Sequence, residues 1–334
     1  MKEVIAKVVA GENLTEAEAK HAMDVMLSGQ ATQAQIGSFL TALRMKGETI
    51  DELTGFAAVL RDKAETISPK SGTYLDLVGT GGDSTFSFNI STTSAFVAAG
   101  AGLHIAKHGN RSISSKSGAG DVLEALGVNI SAEPARVEKC VDEAGIGFMF
   151  AQLFNKSMRF VGQARNELGV RTVFNILGPL ANPSRAKYMV VGVYDPKITE
   201  KIATVLSRLG VERAFVMSGY DNMDEFTITG ETVVSEIEYG KVKTYTVTPE
   251  QFGFVRCSLN DLKGGDGGKN AEITKAVLSG EKGPKRDIVL LNAGAALYIG
   301  GMADSIQTGI TMAAESIDSG KAEHVLEKLV EMSN

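Results

Sequence analysis

The chain has 334 residues, enough for about two domains, and its 43% hydrophobic and 22% charged content is ordinary for a globular protein with a large core. Lys plus Arg is 34 and Asp plus Glu is 40, so the net charge of −6 excludes a broadly basic surface that coats nucleic acid and leaves only local basic patches. Glycine stands at 37 residues beside only 7 prolines, well above the typical ~7%, which points to tight turns or backbone brought close to a ligand rather than to low-complexity disorder. The first elements in chain order are helical. Thr15 with Glu18, Thr32 with Gln35, and Thr49 with Glu52 fit the capping box, in which two side chains satisfy each other's exposed backbone N–H groups. Behind each comes an i, i+3, i+4, i+7 apolar stripe: Ala19, Ala22, Met23, Met26; Ile36, Phe39, Leu40, Leu43; Leu53, Phe56, Ala57, Leu60. Gly29 and Gly47 stop the first two helices. So small a bundle has little core of its own and is expected to pack against the rest of the chain, a second copy, or both.

Ser68-Pro69-Lys70-Ser71-Gly72 marks a boundary, predicting a helical domain over 1–68 and a larger one over 70–334. Beyond it the period changes. Strands are expected at 74–78, 103–106, 146–150, 188–193, 214–217 and 288–292, with helices at 88–99, 122–126 and 197–209, a loop at 107–120 and an antiparallel extension within 226–260. Apolar strands alternating with helices imply an α/β fold, a mainly parallel sheet flanked by helices. Ligands of such sheets sit at the carboxyl ends of the strands. Cys140 and Cys257 are far apart without CxxC, which excludes a disulfide framework and a zinc site as expectations. Lys2, Glu3 and Lys7 interrupt any signal-peptide pattern, and the longest uncharged run, 84–106, is broken by serines and threonines, unlike a membrane span. The expected location is the cytoplasm.

Three strand-end loops carry chemistry. Gly79-Thr80-Gly81-Gly82-Asp83 follows the first strand and opens into Ser87-Phe88-Asn89-Ile90-Ser91-Thr92 at a helix start. Converging backbone N–H groups and a helix N-terminus favour a phosphate over a plain capped turn. The spacing matches neither a P-loop nor the dinucleotide fingerprint, since position 84 is Ser. Lys107-His108-Gly109-Asn110-Arg111-Ser112-Ile113-Ser114-Ser115-Lys116 follows the second strand, and Ser117-Gly118-Ala119-Gly120 comes next. A solvated basic face is the plain reading of such a run; its place after an apolar strand suits a pocket for a pyrophosphate or phosphosugar instead. Ser218 to Glu225 carries Asp221, Asp224 and Glu225. Facing two anion loops, carboxylates would repel the guest unless a cation such as Mg²⁺ lay between. Arg165, two residues before Glu167, reads on its own as a surface ion pair.

Together GTGGD (79–83), FNIST (88–92), KHGNRSISSKSG (107–118), DVLEALG (121–127), RNELGVRTVFNILGPLANP (165–183), DE (224–225), LKGGD (262–266) and NAGAALY (292–298) resemble the anthranilate phosphoribosyltransferases over nearly the whole chain. The resemblance implies transfer of the phosphoribosyl group of 5-phosphoribosyl 1-diphosphate (PRPP) to the amine of anthranilate, with release of diphosphate, as the second step from chorismate to tryptophan. It implies up to two Mg²⁺ ions, a homodimer formed largely through the helical domain, a cleft between the domains with a segment near 160–185 packed on the helical one, and neither a nucleic-acid nor a membrane partner. Carried over by motif, Gly79, Gly82, Asp83, Ser87, Asn89, Ile90, Ser91, Thr92, Lys107, His108, Gly109, Asn110, Arg111, Ser112, Ile113, Ser114, Ser115 and Ala119 contact PRPP. Ser91, Asp224 and Glu225 hold metal. Gly79, Asn110 and Arg165 contact anthranilate, and Lys107, Asn110 and Arg165 serve catalysis. Two departures stand out: Ala119 where many members have Ser, and Asn155-Lys156 where a His-Pro pair is common. A pyrimidine nucleoside phosphorylase shares a similar GTGG loop, and a nucleic-acid-binding relative would use the basic loop. Retention of Asp224, Glu225 and Arg165 weighs against the first, and the negative net charge against the second.

Overall fold

The computed structural model describes residues 1–82, 85–112 and 116–334. It opens with α1 (Lys2–Val9), α2 (Glu16–Leu27), α3 (Gln33–Lys46) and α4 (Ile50–Lys63). All three capping boxes form, with Thr15, Thr32 and Thr49 each accepting from the backbone three residues on while Glu18, Gln35 and Glu52 return the bond. The stripes behind them are buried, and Phe39 meets Phe56 edge to face at 6.0 Å.

The second part runs β1 (Tyr74–Gly79), α5 (Ile90–Gly100), β2 (His104–Gly109), α6 (Ala119–Ala125), α7 (Pro134–Ala144), β3 (Ile146–Phe150), α8 (Ala151–Phe154), α9 (Arg159–Leu168), α10 (Phe174–Leu180), β4 (Tyr188–Gly192), α11 (Thr199–Arg208), β5 (Arg213–Gly219), β6 (Thr232–Glu238) and β7 (Lys241–Val247). It closes with α12 (Gly267–Leu278), α13 (Pro284–Ile299), α14 (Ile306–Asp318) and α15 (Lys321–Ser333). The sheet order is β3-β2-β1-β4-β5-β6-β7. The first five strands are parallel, and β6 and β7 extend the sheet antiparallel, as residues 226–260 led one to expect.

The period of two along the strands divides the core. Met189 and Val191 of β4, with Ala214 and Val216 of β5, pack into one apolar cluster with α10, α11 and the whole helical bundle. Val190, Phe215 and Met217 turn to the opposite face, against α5, α13, α14 and α15. The bundle thus shares its core with the sheet. Arg61 of α4 ties them further, donating to the Leu180 carbonyl at 2.6 Å and the Leu209 carbonyl at 3.0 Å. Helix α9 packs back onto α2 and α3, and Gln33 bonds its backbone at Phe160 and Ala164.

Two expectations need correction. Residues 288–292 are not a strand but lie inside α13. That helix is buried on nearly every side, so its apolar run lacks the polar face that would reveal a helical period. Lys107, His108 and Gly109 do not begin the loop; they are the end of β2, paired with Phe148, Met149 and Phe150 of β3. Polar side chains masked a strand that continues because its neighbour does.

Candidate active site

Strand order reverses between β1 and β4, which are direct neighbours, and in such sheets a crevice opens at the carboxyl ends of the strands there. β1 ends there at Gly79, where a Cβ would strike the Asp224 carboxylate, so only glycine lets the acidic turn approach. Asp224 Oδ2 accepts from the Gly81 N–H at 2.7 Å, and Glu225 Oε1 accepts from the Ser91 N–H, in the first turn of α5, at 2.9 Å. The carboxylates therefore bond directly to amides of the first loop rather than standing off across a gap.

A cavity of about 660 Å³ lies at this point. Gly79, Gly82, Ser87, Asn89, Ile90, Ser91 and Thr92 line it from the first loop and α5. Lys107, His108, Gly109, Asn110, Arg111, Ser112 and Ala119 line it from β2 and the segment beyond, Asp224 and Glu225 from the acidic turn, and Arg165 from α9. Asp83, Ile113, Ser114 and Ser115 lie outside the described residues.

The cations differ in how they are used. Lys107 is 2% exposed, and its ammonium donates to the Leu77 carbonyl and to Ser91 Oγ, the latter at 3.3 Å. Burial pushes its pKa down; the charges of Asp76, Glu225 and Asp224 oppose that shift. Arg111 turns outward to Glu124, with bonds of 2.7 and 2.8 Å, and to Asp121 at 3.3 Å. Asp121 Oδ2 also accepts from the N–H groups of Ser112 and Gly118 at 2.9 and 2.8 Å, closing the basic loop onto α6. Arg165 is not a surface ion pair: its guanidinium stacks 5.0 Å from the Phe174 ring centroid, burial lowers its pKa, and Glu167 bonds Gln163 instead.

On the far face of β1 and β2 lies a polar network. Asp76 is fully buried and accepts from the His108 N–H at 3.1 Å and from Asn182 Nδ2 at 2.6 Å. Burial raises its pKa to about 6, against the pull of Lys107. His108 Nε2 meets Asn155 Nδ2 at 3.2 Å and the ring also bonds the Gly178 backbone; burial, then the Lys107 charge, lower its pKa to about 4. Neutral His108 thus accepts from Asn155. Asn155 stands behind His108, 5% exposed, away from the cavity wall, so the departure from His-Pro alters this network.

Sequence reasoning passed over several residues. Asp76 was visible as a lone carboxylate in an apolar strand. Arg171 lines the cavity, with its guanidinium 4.2 Å from the Tyr194 ring centroid and a bond to the Gly82 carbonyl. Half-exposed Phe86, at φ 55°, and Val170 add apolar surface to the cavity wall. Asp221 turned out not to line the cavity; it accepts from Met223 N–H at 3.2 Å and from the Thr229 hydroxyl at 2.5 Å, shaping the turn that presents Asp224 and Glu225.

Among the described residues no group of three or more His, Cys, Asp or Glu side chains forms a metal cage. Two consecutive carboxylates and the Ser91 hydroxyl beside a cavity lined by amides, hydroxyls and cations fit Mg²⁺, which is commonly held by one or two carboxylates, waters and substrate phosphates.

Comparison with known proteins agrees with this geometry. The sequence pattern described as "Glycosyl transferase family, helical bundle domain" matches residues 2–64, and that described as "Glycosyl transferase family, a/b domain" matches 71–323. An anthranilate phosphoribosyltransferase of Acetivibrio thermocellus is 55% identical over 334 residues, covering 100% of this chain and 97% of that one. One from Moorella thermoacetica is 51% identical over 330 residues, with 99% and 97% covered. The crystal structure of the anthranilate phosphoribosyltransferase of Thermus thermophilus superposes with a TM-score of 0.94 at 42% identity, covering 99% of each chain. The enzyme of Saccharomyces cerevisiae in complex with PRPP and Mg superposes with a TM-score of 0.90 at 29% identity, covering 99% and 97%. Matched end to end in sequence and in fold, the chain belongs to the anthranilate phosphoribosyltransferase family.

Proposed function

We propose that the chain transfers the 5-phosphoribosyl group of PRPP to the amine of anthranilate, giving N-(5-phosphoribosyl)anthranilate and diphosphate. The observation that carries this is the convergence of two amide-rich loops, an acidic turn and a desolvated Arg165 on a single cavity. The loop N–H groups and the N-terminal turn of α5 bind the phosphates, through Gly79, Gly82, Ser87, Asn89, Ile90, Ser91 and Thr92 on one side and Lys107 to Ser112 with the Ala119 N–H on the other. Asp83, Ile113, Ser114 and Ser115 belong to the same reading by motif. Ser91, Asp224 and Glu225 hold magnesium, which when bound supplies positive charge beside the diphosphate.

As the bond to the sugar carbon breaks, diphosphate departs with the electron pair while the carbon becomes oxocarbenium-like, and the main task is to stabilise the negative charge that builds on the departing diphosphate. Donors already aimed and desolvated do this without reorganising. Lys107 supports them from beneath, holding Ser91 Oγ. Arg165 pairs with the anthranilate carboxylate and, with Asn110 and the Gly79 backbone, orients the amine. That amine is a neutral nucleophile as it stands, so no residue needs to activate it.

The division into domains 1–68 and 70–334, a homodimer formed through the helical domain, and a cytoplasmic location belong to the same proposal. Among the described residues no helix is long and apolar enough to cross a membrane. The decisive assay follows loss of anthranilate fluorescence with PRPP and Mg²⁺ present, then with each omitted in turn. Turnover only in the complete mixture is expected, and turnover without PRPP would overturn the assignment.

A further inference from the structure

The two anion-binding loops leave different strands, and a third segment braces them. Residues 262–264 run antiparallel beside 86–88. The Phe88 N–H donates to the Leu262 carbonyl at 3.1 Å, the Gly264 N–H donates to the Phe86 carbonyl at 2.9 Å, and Ser87 bridges to Lys263. A Cβ on Gly264 would lie 2.7 Å from Phe88 Cα, so the strip lies flush against the first loop. Asp266 then caps α12, accepting from the Lys269 N–H at 2.9 Å.

Asn270 follows on that helix, 1% exposed and absent from the cavity wall. Its Oδ1 accepts from the Gly265 N–H at 2.7 Å, and its Nδ2 donates to Asn89 Oδ1 at 2.8 Å. The same Asn89 oxygen accepts from Ser117 Oγ at 3.1 Å, and Asn89 Nδ2 donates to the Ser117 carbonyl at 3.3 Å. Asn89 belongs to the first loop and Ser117 to the second, and both line the cavity. A continuous chain of amides therefore runs from α12 through one loop into the other.

We propose that Asn270 is a positioning residue for PRPP, fixing the spacing between the two loops without touching the sugar phosphate. The inference rests on the reading of the cavity as a PRPP site. A polyanion held by donors from two loops is bound well only when their separation matches it, and small misplacements are costly. Asn89 accepts two bonds at a single oxygen, so its amide has one orientation while Asn270 is present. Remove the Asn270 donor, and the Asn89 amide can turn and release Ser117. Asn270 is buried while Asn89 and Ser117 are partly exposed on the cavity wall, so water can take up the freed Asn89 oxygen but does not restore the fixed orientation of its amide.

Asn270→Ala is expected to raise both the KM and the calorimetric Kd for PRPP by about tenfold, with the anthranilate KM changed by less than about twofold. Asn270→Asp keeps the shape and the Gly265 bond but sets oxygen against oxygen at Asn89, so its effect on PRPP should be at least as large. Combining Asn270→Ala with Ser117→Ala should give less than the product of the single effects, since both cut the same link. Thr274→Val, which removes a buried bond to Thr93 from the same helix, 2.9 Å long, should lower the melting temperature while leaving PRPP affinity unchanged. Equal rises in both KM values, multiplicative effects in the double variant, or a Thr274→Val that matches Asn270→Ala on PRPP would overturn the role. A parent chain that binds no PRPP in the calorimeter would instead refute the reading of the cavity.

Discussion

Asn292 grips the backbone of Phe226 at both ends: the Phe226 N–H donates to its Oδ1 at 3.0 Å, and its Nδ2 donates to the Phe226 carbonyl at 2.9 Å. Phe226 is the residue after Glu225, so a fully buried amide on α13 fixes the exit of the acidic turn. A third bond, to the Ile288 carbonyl at 2.9 Å, holds that amide to its own helix. Asn292→Ala leaves two buried backbone groups unpaired and is expected to cost about 2–4 kcal/mol of stability, read from urea midpoints. The Mg²⁺ concentration for half-maximal turnover should rise several-fold as the turn loosens. Unchanged urea and Mg²⁺ midpoints would remove this role.

Arg165 offers a separate test. Stacked on Phe174, with its pKa lowered by burial, it is the proposed partner of the anthranilate carboxylate. Arg165→Ala should raise the anthranilate KM by about 10- to 100-fold, the worth of a lost charge-assisted bond, with little change in the PRPP KM. Arg165→Lys should recover only part, because an ammonium lacks the planar fork. Equal anthranilate KM values for Arg165→Ala and the parent would contradict the assignment.

For the acidic turn, the informative change is isosteric. Asp224→Asn with Glu225→Gln keeps oxygens that accept from the Gly81 and Ser91 N–H groups, so loop geometry is retained while two negative charges are lost. Turnover is expected to fall by at least about 100-fold, the scale of losing a preorganised electrostatic contribution, and Mn²⁺ binding followed by electron paramagnetic resonance should weaken in parallel. Full activity in that variant would remove the metal assignment.

The buried network behind β2 predicts a pH signature. His108 has its pKa lowered to about 4 by burial first and Lys107 second, so the folded chain stays unprotonated where the unfolded chain takes up a proton. Its contribution to stability is present above the ordinary pKa of 6.5 and is lost as pH falls towards about 4. Asp76 works the other way. With its folded pKa raised to about 6 from 3.8, chiefly by burial, it lowers stability as pH rises through that interval. In His108→Gln the Asp76 slope remains and the His108 slope is gone. The stability advantage of the parent over this variant should therefore grow by roughly 3 kcal/mol between pH 4 and 6.5, measured by urea unfolding at several pH values. A difference that stays constant across that interval would show His108 to be protonated like an exposed histidine.

The helical bundle and most of the parallel strands were legible in the sequence because their signals are local. A capping box spans four residues and an apolar stripe repeats every turn. Residues 288–292 misled for the same reason, since α13 is buried all round and shows no polar face. The strand-end loops were legible too: glycines, small donors and cations are concentrated there, and a family resemblance attached roles to them. What sequence could not supply was partnership. Asn270 and Asn89 are separated by 181 positions, Asn182 and Asp76 by 106, and Asn292 and Phe226 by 66.

The order of residues by itself determined most of the segments that coil or extend, and which turns concentrate glycines, small donors and cations, because those preferences arise between near neighbours. Tertiary structure alone decided that Lys107 lies beneath Ser91, that Arg111 turns out to Glu124, that Arg165 faces the cavity, and which buried asparagines brace the loops. Those outcomes depend on which chain segments meet, and a side chain's solvation, charge and bonding partners exist only once they have met.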